Sequence, residues 1–167
     1  MKILLLGFSL FFLGCVSAVI RLRNPYIPGL YEQVSGKSKA RVWNNLFSFF
    51  SRNGLSVRLV DSASGLIKSS QTNLPWSYEN KKGKLNNPRA WVVVERIIYK
   101  NKPLVLTSVT GEWNIRIKAL NDSQTYVVVN LVNLRYNTPL DTSYQPFLRA
   151  SPRSTGVFEK MLEEQIK

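Results

Sequence analysis

The chain has 167 residues, with 23 Lys and Arg against 10 Asp and Glu, a formal net charge of +13, no histidine and one cysteine. The lack of histidine excludes imidazole general acid/base chemistry, Ser-His and Cys-His nucleophile pairs and the usual zinc sites. A lone cysteine excludes an intrachain disulfide, so stability must come from packing, and the cationic excess points to an anionic surface or ligand.

Met1 and Lys2 give a charged start, and Ile3 to Leu13 form an apolar stretch interrupted only by Gly7 and Ser9. At ~1.5 Å of helical rise per residue this stretch covers about half of a ~30 Å hydrocarbon core, so it reads as an export signal and not as a membrane span. Two cuts can end it. Val16-Ser17-Ala18 suits an ordinary signal peptidase, which would release a soluble, secreted protein beginning at Val19. Leu13-Gly14-Cys15 resembles the end of a bacterial lipobox, with Phe12 standing where that pattern has Leu, Val or Ile. The lipobox is the favoured reading, because the chain's one cysteine lies directly at the end of the apolar run. Lipidation of Cys15 would anchor the mature protein through its acyl chains, each methylene contributing ~0.8 kcal/mol. Val16 after the cysteine implies, by resemblance to enterobacterial lipoproteins, sorting to the outer membrane with the domain facing the periplasm.

The expected organisation is a signal peptide over 1–14, a lipidated Cys15 and tether over 15–37, and one α+β domain over 38–167. Residues 16–37 carry Pro25, Pro28, Gly29 and Gly36 and no sustained period, which predicts an irregular entry segment. Arg21 and Arg23 within it stand close enough to the anchor to meet anionic head groups. A helix is predicted from Ser38, as N-cap, to Arg52, with Trp43, Leu46, Phe47 and Phe50 as its apolar stripe and Gly54 as a left-handed stop.

Leu55, Val57 and Leu59 alternate with polar residues, and after Asp61-Ser62-Ala63-Ser64-Gly65 comes Leu66-Ile67-Lys68, which predicts a hairpin closed by an Asx-type turn. Residues 71–88 read as one long loop. Strands are predicted over 91–99, 104–109, 113–120 and 126–136, with turns at Asn101-Lys102-Pro103, Thr110-Gly111 and Asn121-Asp122-Ser123. Val127-Val128-Val129 is apolar on both faces and predicts a central strand. A second helix is predicted from Gly156 to Ile166, with Phe158, Met161, Leu162 and Ile166 inward and Glu159, Lys160, Glu163 and Glu164 outward. The fold class is therefore α+β: a curved antiparallel sheet of about five to six strands with two amphipathic helices packed on one face.

The stretch VWNNLFSFFSRNGLSVRLVDSASGLIKSS, residues 42–70, resembles the helix-grip domains of a lipoprotein subunit of the outer-membrane β-barrel assembly machinery. It is also similar to TATA-binding-protein-like lipoproteins of Gram-negative bacteria, with which Ser154-Thr155-Gly156 and the terminal helix agree. The resemblance implies a helix-grip or TATA-binding-protein-like fold and an outer-membrane location, and it carries no catalytic residues.

Gly36-Lys37-Ser38 before a helix looks like the end of a phosphate loop, but Tyr31 stands where that motif needs glycine. Asp61, Ser62 and Ser64 offer too few carboxylates for a calcium loop. Glu95 and Glu112 could imitate a glycosidase pair if they faced each other from neighbouring strands, within ~5–10 Å. No enzyme activity, cofactor or metal is expected. The leading contact candidate is the cluster of Lys81, Lys82, Lys84 and Arg89 between Trp76, Tyr78 and Trp91, which mixes cations with aromatic faces. Its bland alternative is a solvated loop with the aromatics tucked under.

The expected function is that of a non-enzymatic periplasmic accessory lipoprotein, tied to the membrane by its lipid, that binds a protein partner in an outer-membrane or envelope assembly. The alternative is a direct binder of anionic lipid, polysaccharide or another polyanion through residues 76–91; nucleic acid is not an expected partner.

Overall fold

The computed structural model describes residues 18–26, 30–138 and 152–167; the expected signal segment and Cys15 lie outside them. In chain order the elements are β1 (Ala18–Ile20), β2 (Leu30–Ser35), α1 (Lys39–Arg52), β3 (Val57–Asp61), β4 (Leu66–Ser69), β5 (Thr72–Asn73) and β6 (Trp76–Ser77). They continue with β7 (Val92–Val93), β8 (Arg96–Tyr99), β9 (Lys102–Pro103), β10 (Ser108–Ala119), β11 (Thr125–Asn137), β12 (Arg153–Ser154) and α2 (Val157–Ile166). Neither helix is long and apolar enough to cross a membrane.

The principal sheet is open and curved, with strand order β2-β11-β10-β4-β3 and β5 attached to β10. Its pairings are all antiparallel. Two three-stranded sheets complete the fold, β1-β8-β9 and β12-β7-β6, and in the second β6 runs parallel to β7. The expected α+β class is thus the observed one, with α1 and α2 packed on each other and on one face of the principal sheet.

Alternation along β10 and β11 sends Trp113, Ile115, Ile117, Val127 and Val129 into the core, where they meet Val42, Leu46, Phe49 and Phe50 of α1 and Phe158, Leu162 and Ile166 of α2. At the centre, the Phe158 ring stacks on Trp113 with centroids 3.7 Å apart and meets Phe49 and Trp91 edge-on at 5.5 and 5.0 Å.

The inward arc of α1 is rotated from the predicted one. Val42 and Phe49 are buried, while Trp43 and Phe47 are half-buried and touch each other with centroids 5.5 Å apart. Ser38 occupies the N-cap position with extended dihedrals, but its side chain makes no capping hydrogen bond. The hairpin and its Asx turn hold as expected: Asp61 Oδ1 accepts from the Ala63 and Ser64 N–H groups at 3.0 and 3.2 Å, and Ser64 Oγ donates to Oδ2 at 2.6 Å.

The predicted tether over 15–37 is corrected in its described part. Ala18–Ile20 pair with Ile98–Arg96, and Leu30–Ser35 pair with Asn130–Thr125, so the folded domain begins before residue 38. The reason lies in the pattern of β2: Tyr31, Gln33 and the buried Ser35 face inward, and Leu30 and Val34 face outward, 51% and 47% exposed. Such a strand is held by its partner's backbone and one aromatic contact more than by its aliphatic residues. The predicted turn at Thr110-Gly111 is likewise corrected. Those residues lie inside β10 at a bulge between Thr110 and Glu112, and a Cβ on Gly111 would stand 2.9 Å from both Leu74 and Leu134. Within the predicted 71–88 loop lie β5 and β6, while the predicted 91–99 strand is divided into β7 and β8.

Glu159 was expected on the solvent side of α2 but is 2% exposed. Ser154 Oγ donates to its Oε1 at 2.6 Å, and Oε2 has no hydrogen-bond partner among the described residues. Burial raises its pKa above the ordinary 4.5, against the opposing Ser154 hydrogen bond. The folded state therefore favours the protonated acid, and the stability this contributes is complete below the unfolded pKa and lost as pH rises through the raised one. Glu159→Gln keeps the acceptor for Ser154 and removes the ionisation. Thermal unfolding should show the variant melting above the wild type at pH ~8, by about 2–4 °C per kcal/mol, with the difference shrinking toward pH ~4. A pH-independent difference would assign the effect to packing alone.

Candidate anion-binding site

Asn80 shapes the tip of a small hairpin by accepting, at Oδ1, the N–H groups of Lys82 and Lys84 at 2.8 and 3.1 Å, with Gly83 at φ +77 and a bridge between Glu79 and Leu85 closing the base. Lys81, Lys82 and Lys84 are all exposed on this hairpin, and Arg89 is exposed on the segment that follows. The aromatic part of the predicted cluster is placed differently. Trp91 belongs to the core and packs on Phe158, so it is corrected from contact residue to core residue; a large apolar ring beside buried neighbours gains more from packing than from solvent. Trp76 and Tyr78 are half-buried against each other, with centroids 5.1 Å apart at 82°, and Tyr78 Oη donates to the Leu104 carbonyl at 3.2 Å. The cations and the aromatic faces therefore do not interleave on one surface.

A different grouping of cations does form a cavity. Between the chain segment that leaves β1, the hairpin and β8 lies a cleft of about 360 Å³. Arg21, Arg23, Lys81 and Arg96 line it, with Ile20, Leu22 and Val94 as its apolar wall and Glu79 and Asn80 at one side. Ile20 stands opposite Arg96 in the β1–β8 register, which brings the first described residues of the chain to a strand more than seventy positions away.

Glu79 is the clamp that holds this arrangement. Its carboxylate accepts from the Arg23 N–H at 2.6 Å, the Asn24 N–H at 3.3 Å and Asn24 Nδ2 at 2.9 Å, and Asn24 Nδ2 also donates to the Gly83 carbonyl at 2.6 Å. Burial would raise the Glu79 pKa, but the hydrogen bonds from Arg23, Tyr26 and Asn24 outweigh it and hold the carboxyl below its ordinary range. Its oxygens are thus committed to backbone and amide donors.

Among the described residues, Arg21, Arg23, Lys81 and Arg96 make no salt bridge with a carboxylate; the two ion pairs there are Arg58–Glu112 and Lys167–Glu163. The Arg96 guanidinium lies over the Tyr78 ring, its central carbon 5.2 Å from the centroid, and its buried Nε has no hydrogen-bond partner among the described residues. A half-buried guanidinium that lines the cleft and lies over an aromatic ring is suited to an incoming phosphate or carboxylate oxygen.

Lys37 is a structural joint: its carbonyl accepts from Thr125 Oγ1 at 2.8 Å, and its Nζ donates to the Gln165 carbonyl at 3.4 Å. Glu112 sits in β10 and pairs with Arg58 at 3.4 Å, while Glu95 precedes β8 in another sheet, so the two are not on neighbouring strands. Sequence reasoning placed Arg21 and Arg23 near an anionic surface but missed Arg96 and Glu79. Nothing in the local pattern of Glu95-Arg96-Ile97 marks Arg96, whose role follows only from the β1–β8 pairing.

No protein-family model matches the chain, and no curated protein matches it in sequence. Among solved structures, an uncharacterized protein from Bacillus thuringiensis is similar at 10% identity and a TM-score of 0.28, over 81% of this chain and 90% of that one. A Streptomyces aromatase/cyclase, ZhuI, aligns at 15% identity and a TM-score of 0.27, over 82% of each chain. A Thermus thermophilus protein aligns at 14% identity and a TM-score of 0.26, over 85% of this chain and 89% of that one. Likenesses this distant place the chain in no family.

Proposed function

We propose that this is a non-enzymatic envelope protein, anchored to the outer membrane through a lipidated Cys15 and related to the helix-grip lipoproteins, that binds an anionic ligand in the cleft between Arg21, Arg23, Lys81 and Arg96. The observation that carries this reading is a cleft lined by four cations and one carboxylate, in which none of the four cations makes a salt bridge among the described residues. Long-range attraction by the net positive charge would raise the encounter rate, and the cleft would supply the contact.

Calorimetric titration of the full-length protein with inorganic pyrophosphate at low salt tests it. Binding should weaken steeply as salt is added. Arg96→Gln should weaken it by at least about tenfold, or ~1.4 kcal/mol. Lys84→Ala, on the same hairpin but outside the cleft, should change it little. Absence of binding by the wild-type protein at low salt would remove the proposal.

A second reading, an accessory protein that docks an acidic protein partner, is favoured by the face of the principal sheet turned away from the helices, which is partly exposed among the described residues. Leu30 and Val34 stand there on either side of Glu32, beside Tyr126 and Val128, followed by Lys68, Arg116 and Lys118. Apolar residues turned outward on an edge strand and flanked by cations suit such a partner.

A further inference from the structure

The chain reaches the cleft almost as soon as it leaves Cys15. Two residues separate Cys15 from Ala18, and the three steps between their Cα atoms span about 11 Å when fully extended. Ala18 is already paired with Ile98, so the described chain leaves no slack there to hold the domain away from a bilayer. The residues that follow are those that build the cleft: Ile20 opposite Arg96, then Arg21, Leu22 and Arg23 along the wall. Val19 and Ile20 are 38% and 53% exposed, which leaves an apolar edge beside the cations.

We infer that the cleft faces the membrane that anchors the chain and takes the phosphate of an anionic phospholipid head group, with Ile20 and Leu22 against the glycerol and the upper acyl carbons. The inference rests on the anion-binding reading and on Cys15 as the anchor, and it adds the ligand's source and the orientation of the domain. Two features of the cleft favour a lipid phosphate over a free one. Its wall is partly apolar, which an amphiphile covers and a free phosphate leaves wet. Its cations stand within reach of the interface, where anionic lipids concentrate negative charge and each nearby basic side chain is attracted. Arg96, lying over Tyr78 and lining the cleft, supplies the guanidinium, and Arg21, Arg23 and Lys81 supply the surrounding charge. The Glu79 and Asn24 clamp keeps the Arg21–Arg23 segment in place without using any of their guanidinium donors.

The test is amide hydrogen exchange on the full-length, cell-processed protein reconstituted in phosphatidylcholine vesicles, with and without phosphatidylglycerol. With phosphatidylglycerol, the Arg23, Asn24 and Lys82 amides should exchange roughly tenfold more slowly than in phosphatidylcholine alone. Arg96→Gln should abolish that slowing while leaving exchange across β10 and β11 unchanged, which separates a lost ligand contact from a lost fold. If soluble glycerol phosphate added to phosphatidylcholine vesicles protects these amides as strongly, the ligand is a free phosphate: the lipid inference falls and the anion-binding reading stands. If neither phosphatidylglycerol, glycerol phosphate nor pyrophosphate slows exchange, both fall. A protein that stays in the aqueous phase, or protection by phosphatidylglycerol that survives Arg96→Gln, overturns the inference as well.

Discussion

Phe158→Ala should lower stability by about 3–5 kcal/mol, the range for removing a fully buried aromatic ring. The position explains why the upper part of that range is expected. Phe158 is stacked on Trp113 with the planes 10° apart and is met edge-on by Phe49 and Trp91, so one ring joins α2, the principal sheet, α1 and the segment entering β7. Its loss leaves a cavity walled by three large rings that cannot all collapse inward together. Against a total of about 5–15 kcal/mol for a typical domain, the loss is a large fraction. The urea midpoint should fall with little change in slope. Phe47→Ala provides the contrast, because that ring is only half-buried beside Trp43 and should cost less than about 2 kcal/mol. Equal losses at the two positions would show that the core is not centred on Phe158.

Gly65→Ala is the second large effect, and it acts through backbone geometry, not volume. Gly65 has φ +71, where a side chain is strained by about 1–2 kcal/mol. A Cβ there would also stand 2.0 Å from the carbonyl oxygen of Ile117, a backbone atom of the central strand β10. The Gly65 carbonyl meanwhile accepts the Ile117 N–H at 2.8 Å, so the hairpin turn lies directly on that strand. Relief requires moving the turn, breaking this bond and disturbing the Leu66–Arg116 pairing that follows it. The expected loss is at least about 3 kcal/mol. Gly54→Ala separates the two causes: it has φ +65 but open space around the Cβ, and it should show the dihedral strain alone.

The elements that were legible in the sequence are those whose periodicity and burial agree. The two helices, the Asx-closed hairpin and the buried valines of β11 belong to this class. Errors arose where tertiary partners overrode the local signal. In α1 the aromatic Trp43 and Phe47 outweighed Val42 as evident core residues, yet Val42 is fully buried while the two rings are only half-buried. In α2 the buried arc extends to Glu159 because Ser154, just before the helix, turns its hydroxyl onto the carboxyl. Gly111 looked like a turn, but it is the residue that lets Leu74 and Leu134 close over a bulge. The lysine hairpin of the candidate site was legible as charge. Its partner Arg96 was not, because a cation gains its meaning from residues that the fold brings to it.

The same long-range closure constrains how the chain folds. A hydrogen bond from Ser35 Oγ to the Ile166 carbonyl joins residues 131 positions apart, and β2 has no strand to pair with until β11 exists. A chain that emerges N-terminus first must therefore hold this segment in waiting while most of the domain is still to come, at a closure cost that grows with the intervening length. Until then the edge of β11 that β2 covers is open, and the beginning of the domain is joined to its end only after the whole chain has emerged.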